Sequence, residues 1–188
     1  MNALKKLGSA CLLLLLCCSA LRLVAAPKTN IILIMADDMG FGGIAAYGHK
    51  VHKTPNIDSL ATGGLKCFDF HSNGSVCSPT RAALMTGRYQ QRSGIHGNVT
   101  AIKHRNTGLD PKETTFAEAL KTKGYTTALF GKWHLGYGKD FNPIKQGFDQ
   151  FNGFVGAGVD LALPMPPLPS STSRTMLWLS ENLVILAP

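Results

Sequence analysis

A continuous apolar segment near the start of the chain constrains its fold more than any other feature. Residues 30–36 have the sequence Asn-Ile-Ile-Leu-Ile-Met-Ala, which has the length of one strand and no polar alternation. β-Branched residues in such a run are typical of a strand buried on both faces of a parallel sheet. We therefore expect a central strand of an α/β sheet here, and two adjacent acids, Asp37 and Asp38, follow it directly.

Strand and helix patterns alternate in the rest of the chain. Pro55 matches the first position of a helix, and residues 65–70 have the composition of a short second strand. Thr115 and Glu118 form the capping-box pattern that begins another helix, and residues 125–130 follow that helix as a strand. This alternation predicts a doubly wound α/β sheet.

Asp37 and Asp38 are candidate ligands for a metal ion. In open α/β sheets, ligands bind beyond the carboxyl ends of the strands, which is where these two acids lie. Adjacent carboxylates repel each other unless a cation neutralises them, and Ca²⁺ and Mg²⁺ prefer oxygen ligands. The residues leave one alternative open, which is an Asp pair that caps a turn.

Cys77 lies where a loop leads into a short helix. Pro79 fits the first helical turn, and Gly87 fits the helix end. A helix N-terminus favours negative charge on a nearby residue or on a bound anion, and Arg81 is spaced to lean back over the same position. The alternative is a half-buried cysteine on an ordinary helix, because free cysteine is mostly a small core residue.

A polar pair follows the predicted strand over residues 125–130. Lys132 and His134 are two residues apart, so an extended segment would point both side chains the same way. A lysine that binds an anionic oxygen and a histidine that transfers a proton are suitable partners at the carboxyl end of a strand. For the lysine alone, a solvated surface charge is the alternative.

Three segments together resemble the sulfatase family. They are the signature Cys-x-Pro-x-Arg followed by Thr-Gly-Arg, the Asp-Asp pair after the first strand, and the string Gly-Lys-Trp-His-x-Gly. The matching residues are Cys77, Pro79, Arg81, Thr86, Gly87, Arg88, Asp37, Asp38 and 131–136. The resemblance covers residues 28–160. It implies an alkaline-phosphatase-like sulfatase fold, in which a mostly parallel sheet carries helices on both faces.

The resemblance implies a sulfuric ester hydrolase of the arylsulfatase type. In that family a formylglycine-generating enzyme converts the cysteine to formylglycine, and the hydrate of this aldehyde attacks the sulfur of a sulfate ester. The implied ligands of Ca²⁺, with Mg²⁺ as the alternative ion, are Asp37, Asp38 and Cys77. The implied catalytic residues are Cys77, Arg81, Lys132 and His134, of which Lys132 and His134 also bind the substrate. That substrate would be a sulfated small molecule or a sulfated polysaccharide.

The resemblance ends near residue 161. Residues 27–160 match the N-terminal part of a sulfatase catalytic domain, whereas residues 161–188 form a Pro/Ser-rich and apolar tail. Related enzymes often have His-Asp where this chain has Val159 and Asp160, and they take further metal and substrate ligands from a later half. A truncated, inactive sulfatase fragment is therefore an alternative. Another is a phosphate-ester hydrolase on a related fold, which would use Ser or Thr as nucleophile.

The first 26 residues have the pattern of a secretory signal peptide, with a basic start, a short apolar run and small residues at the cleavage site. A retained anchor is the alternative, and no other segment is expected to span a membrane. We expect a secreted, periplasmic or lysosomal protein.

The net charge of the chain suits an anionic substrate. It is +8 for the whole sequence and falls to about +5 when Lys5, Lys6 and Arg22 are removed with the signal peptide. Basic runs interleaved with aromatic residues are missing, which argues against nucleic-acid binding.

Two of the five cysteines, Cys67 and Cys77, lie outside the predicted signal peptide. In an exported protein, two cysteines usually indicate one disulfide. A small disulfide-linked binding domain is therefore an alternative hypothesis, and it competes with formylglycine because both use Cys77.

Overall fold

The computed structural model describes residues 28–157 and the backbone of residues 182–187. The predicted signal peptide over residues 1–26, the Val159–Asp160 position and most of the tail lie outside these described residues, so those predictions stay predictions. Within the described ranges, no helix is long and apolar enough to cross a membrane.

The described chain contains four strands, three α-helices and several short 3-10 turns. The strands are β1 (Ile31–Met35), β2 (Thr126–Lys132), β3 (Gln150–Phe154) and β4 (Asn182–Ala187). The helices are α1 (Pro55–Gly63), α2 (Cys77–Thr86) and α3 (Phe116–Lys121). The 3-10 turns are Phe41–Gly43, Ala45–Tyr47, Lys139–Phe141 and Pro143–Gln146.

The strands form one sheet in the order β1-β4-β2-β3. β2 and β3 are parallel, and β4 is antiparallel to both β1 and β2. Because β1 and β2 are both antiparallel to β4, they run in the same direction as each other. Three of the four strands therefore point their carboxyl ends towards the same edge, and that edge carries the polar residues predicted from the sequence.

Two predictions from apolar composition are wrong in their details. β1 is not a buried central strand but an edge of the described sheet, where Ile32 is 62% exposed and Ile34 is 49% exposed. Residues 65–70 form no strand, and Leu65 is 89% exposed. An apolar run reports the hydrophobicity of a segment, but burial depends on which other elements pack against it.

Local capping signals place two helices as the sequence predicts. Thr115 caps α3 through its side chain, which accepts from the N–H of Glu118, while the Glu118 carboxylate accepts from the N–H of Thr115. α2 ends at Gly87, which adopts the left-handed conformation with φ of 64° and donates its N–H to the carbonyl of Ala83 at 2.8 Å. Both helices are therefore fixed at one end by sequence-local interactions.

The hydrophobic core lies between α2, α3 and the segment that follows β2. Trp133 and Phe148 are its largest members, and their rings meet edge to face with centroids 6.2 Å apart. The indole N–H of Trp133 donates to the carbonyl of Phe141 at 2.8 Å. The other buried apolar residues of this cluster are Ala82, Met85, Ile95, Val99, Leu109, Ala117, Leu129 and Leu135. This packing holds the start of α2 against the end of β2.

Candidate active site

Three parts of the chain bring the predicted site residues to one edge of the sheet. Asp37 and Asp38 lie two and three residues after the end of β1, and Cys77 is the first residue of α2. Lys132 is the last residue of β2, so that strand extends two residues further than the sequence pattern indicates. The site therefore combines a strand end, a helix start and the turn after a second strand.

Asp37 is the centre of the polar contacts. Its Oδ2 accepts from the Lys132 ammonium at 2.8 Å, and its Oδ1 accepts from Arg81 Nη2 at 3.1 Å. The thiol of Cys77 lies 3.7 Å from Asp37 Oδ1, and Lys132 Nζ lies 3.3 Å from the same sulfur. Burial alone would raise the pKa of Asp37, but the hydrogen bond from Lys132 and the charges of Arg81 and Lys132 outweigh it and lower that pKa.

Arg81 donates hydrogen bonds from inside the protein to the end of β2 and to the segment that follows β1. Its side chain is almost fully buried, and besides Asp37 it contacts the carbonyl of Lys132, to which Nη1 donates at 2.8 Å. The sequence predicts that Arg81 leans over Cys77, but its hydrogen bonds go to the residues around the cysteine instead. A guanidinium suits this position because its fixed fork can donate in two directions at once.

His134 is enclosed and has an unusual backbone. The side chain is buried, with the residue 1% exposed, and φ is +60°, in the left-handed region. Burial, together with the nearby positive charges of Lys132 and Arg81, lowers the pKa of His134 to about 4, although a hydrogen bond to the backbone of Val99 opposes the shift. The ring is therefore neutral at neutral pH. The predicted extended segment through Lys132 and His134 is interrupted at His134 by this positive φ.

A cavity of about 190 Å³ opens beside these groups. Asp37, Asp38, Cys77 and Arg81 line it, together with residues of the loop that precedes α2. Its volume is several times that of one water molecule, which occupies about 30 Å³ in the liquid. A small polyatomic anion therefore fits beside the Cys77 sulfur.

Asp37, Asp38 and Cys77 could together hold a metal ion. Each offers one ligand atom, and these atoms all lie within 4.8 Å of one another. Both carboxylates suit a hard divalent cation, whereas the sulfur of an unmodified cysteine does not. The donor set fits Ca²⁺ or Mg²⁺ only when an oxygen replaces that sulfur.

Sequence reasoning did not single out two residues that join these parts. Ser78 is fully buried, and its hydroxyl donates to the carbonyl of His134 at 2.7 Å and accepts from the N–H of Val99 at 3.0 Å. Asn98 Oδ1 accepts from the N–H of Ser78 at 3.2 Å. No local signal could have identified these contacts, because the partners are 20 to 56 residues apart in the chain.

The two cysteines of the described chain form no disulfide. Cys67 is free and exposed, and Cys77 is free and half-buried at the cavity. The alternative hypothesis of a disulfide-linked binding domain is therefore wrong for this structure. Cys77 keeps an unblocked sulfur, which conversion to an aldehyde requires.

Fold and site define an α/β protein with a cysteine, two acids and two cationic side chains around an anion-sized cavity at the sheet edge. The Sulfatase family model matches residues 29–173. The chain is 48% identical over 141 residues to arylsulfatase A of Homo sapiens, covering 74% of this chain and 28% of that protein. It is 41% identical over 160 residues to arylsulfatase G of Mus musculus, covering 81% of this chain and 30% of that protein. The chain belongs to the sulfatase family.

A solved structure supports the same conclusion for the fold. The crystal structure of the PsFucS1 sulfatase from Pseudoalteromonas sp. superposes with a TM-score of 0.60 at 35% identity, covering 67% of this chain and 26% of that one. The predicted alkaline-phosphatase-like sulfatase fold is confirmed for the part described. The chain spans less than a third of the length of these three proteins.

Proposed function

We propose that this chain forms the nucleophile-bearing part of a sulfuric ester hydrolase. The observation that carries the proposal is the position of Cys77. It is the first residue of α2, it lines the cavity, and its sulfur lies within 3.3 Å of Lys132 Nζ and 3.7 Å of Asp37. In this proposal Cys77 is converted to formylglycine, and an oxygen of its hydrate forms a bond to sulfur while the alcohol of the ester leaves.

The cations around Cys77 suit a sulfate ester. Lys132 and Arg81 are both nearly buried, so their charges act on the cavity with little screening by water. Lys132 binds a sulfate oxygen in this proposal, and Arg81 orients the nucleophile while it holds Asp37. An ester group with negative charge is thereby favoured over a neutral one.

A divalent cation completes the proposed centre. Once formylglycine replaces Cys77, the ligand set from Asp37, Asp38 and residue 77 consists of oxygens, as Ca²⁺ or Mg²⁺ requires. Such an ion would neutralise the charge of the sulfate and would lower the pKa of a hydroxyl on the nucleophile. The residues around it keep the carboxylates in place, because Arg81 and Lys132 both donate to Asp37.

His134 is proposed to receive a proton when the second step releases sulfate. Its pKa of about 4 leaves the imidazole neutral at neutral pH, so it has a free lone pair for this task. The proton comes from the remaining hydroxyl of the hydrate, the aldehyde C=O forms again, and the bond between its carbon and the sulfate-bearing oxygen breaks, so that sulfate leaves with that oxygen.

The substrate in this proposal is a sulfated small molecule or a sulfated polysaccharide, and the partner that prepares the chain is a formylglycine-generating enzyme. The similarity to arylsulfatases A and G favours an aryl sulfate as the first substrate to try. We place the protein outside the cytoplasm, as a secreted, periplasmic or lysosomal protein, because of the signal pattern in residues 1–26.

The first test is mass spectrometry of the chain made together with a formylglycine-generating enzyme. Trypsin releases residues 67–81 as one peptide that carries both cysteines. After treatment with a thiol reagent, we expect Cys67 to be alkylated and residue 77 to carry an aldehyde. An unconverted thiol at position 77 under these conditions would contradict the proposal.

The second test is turnover of a chromogenic aryl sulfate. We expect Cys77→Ala to abolish it and Cys67→Ala, the matched control at the exposed free cysteine, to retain it. Full activity of Cys77→Ala would refute the proposed nucleophile. Complete conversion of Cys77 without any turnover would instead favour the alternative of an inactive sulfatase fragment.

A further inference from the structure

The residue after the cysteine links two parts of the candidate site. Ser78 has no exposed surface, and its hydroxyl is used twice, as a donor to the carbonyl of His134 and as an acceptor from the N–H of Val99. Both hydrogen bonds are buried. A serine hydroxyl offers one hydrogen, so its only donor bond goes to the main chain of His134.

α2 donates hydrogen bonds to two carbonyl groups, one at the last residue of β2 and one in the segment that follows it. Ser78 donates to the carbonyl of His134, and Arg81 donates to the carbonyl of Lys132 at 2.8 Å. Ser78 and Arg81 are three residues apart, so their side chains lie on the same face of the helix. The two carbonyls that accept from them are two residues apart in the chain. The helix that begins with Cys77 is thereby fixed against the segment that carries Lys132 and His134.

The conformation of His134 needs such support. A φ of +60° is unfavourable for a residue with a β-carbon. The N–H of His134 donates to the carbonyl of Val155 at 3.1 Å, and its carbonyl receives the Ser78 hydroxyl at 2.7 Å. Each side of the strained residue is therefore held by a hydrogen bond to a different part of the fold.

We propose that Ser78 is a positioning residue whose hydroxyl keeps the main chain of His134 in its left-handed conformation and so fixes the imidazole relative to residue 77. The consequence for catalysis rests on the proposed function, whereas the structural hold does not. Without the hydroxyl, the His134 carbonyl and the Val99 N–H lose their buried partner, and His134 can relax to a conformation that exposes its ring.

The test compares Ser78→Ala with Ser93→Ala in the full chain. Ser93 is the matched control, because it is also buried and its hydroxyl also donates to a backbone carbonyl, that of Gln90 at 3.1 Å. That contact is local and touches neither α2 nor His134. Ser78→Thr, which keeps the hydroxyl, is the rescue variant.

The readout is the pH titration of the His134 ring nitrogens by NMR, which needs no turnover. The charged groups that face the ring, Lys132, Arg81 and Asp37, are the same in all variants. In the parent, in Ser93→Ala and in Ser78→Thr, we expect the ring to titrate near pH 4. In Ser78→Ala we expect a midpoint at least one pH unit higher, because the released ring gains water.

A folded Ser78→Ala protein with an unchanged His134 titration would overturn the proposal. Where Ser78→Ala does not fold, Ser78→Cys replaces it, because a thiol fills the space but donates only weakly, and the same upward shift is expected.

In the converted enzyme, Ser78→Ala is expected to lower kcat about tenfold with KM within twofold of the parent. If the parent has no turnover but the titration shifts, the proposed function fails while the positioning role stands.

Discussion

The ammonium of Lys132 lies 2.8 Å from Oδ2 of Asp37, which is 95 residues away in the chain, and so joins the end of β2 to the segment that follows β1. The lysine side chain is 5% exposed and the aspartate side chain is 34% exposed. Removing one partner of a buried ion pair costs more than the pair itself contributes, because the other charge stays without compensation. The pair therefore couples the stability of the β1 and β2 ends to the integrity of the site.

Lys132→Met tests this coupling. We expect the free energy of unfolding to fall by about 1–3 kcal/mol, below the range for fully buried pairs because Asp37 is partly exposed and keeps Arg81. Urea unfolding at pH 7 measures it. The control is Lys121→Met, which removes a more exposed pair with Asp149 and is expected to cost under about 1 kcal/mol. Equal losses in both variants would contradict the coupling.

Arg81→Lys probes the two-direction contact of the guanidinium. The variant keeps the charge but cannot donate to Asp37 and to the Lys132 carbonyl together, so one buried acceptor loses its partner. We expect a loss of about 1–3 kcal/mol in the free energy of unfolding. Arg88→Lys is the comparison, because Arg88 makes its two contacts with Glu113 nearer the surface and we expect a loss under about 1 kcal/mol.

The sequence predicts the members of the site better than their connections. Cys77, Arg81 and Lys132 are recognisable because each lies at a helix start or a strand end with a characteristic local pattern. Their partner Asp37 is predictable for the same reason. Neither the pairing of Lys132 with Asp37 nor the role of Ser78 is predictable, because these contacts join segments that only the folded chain brings together.

The position of β1 in the sheet is also not predictable from the sequence. The apolar composition of residues 31–35 predicts a strand correctly, and β1 is found there. Its place at the edge of the described sheet depends on pairing with β4, which lies in the tail that sequence reasoning could not assign. Periodicity describes one segment at a time, whereas strand order depends on several.

His134 should make stability depend on pH between about 4 and 6.5. Its pKa in the folded chain, about 4, is below the ordinary value of 6.5, so within this window the unfolded chain binds a proton that the folded chain does not. Stability is therefore complete above pH 6.5 and decreases as the pH falls towards 4, by roughly 3 kcal/mol in total.

The variant that tests this is His134→Gln, measured by urea unfolding at pH 4.5, 5.5 and 7. We expect the parent to lose stability over this series and the variant to lose much less, whatever its stability at pH 7. Asp37 and Asp149 have lowered pKa values, so their contributions are lost only in stronger acid and do not interfere. An equally steep decrease in both proteins would show that another group is responsible.

Gly153 is required by the close approach of β2 and β3. It pairs with Gly131 in the parallel ladder, and a β-carbon at position 153 would overlap the backbone oxygen of Gly131. Because the obstacle is backbone rather than a flexible side chain, Gly153→Ala must push the two strands apart. On one side of Gly153, the carbonyl of Phe154 accepts from the N–H of Trp133, and on the other side Asn152 pairs with Phe130 in the ladder. The displacement therefore reaches the segment that carries the site.

We expect Gly153→Ala to lower the free energy of unfolding by about 2–4 kcal/mol, since overpacking typically costs 1–3 kcal/mol and ladder hydrogen bonds are lost as well. The matched control is Gly63→Ala at the end of α1, where a β-carbon meets nothing within 4 Å. That variant should be neutral or more stable by up to about 1 kcal/mol, because alanine favours a helix. Urea unfolding measures both, and a loss in Gly153→Ala no larger than in the control would mean that β2 and β3 can separate at this pair without breaking the ladder.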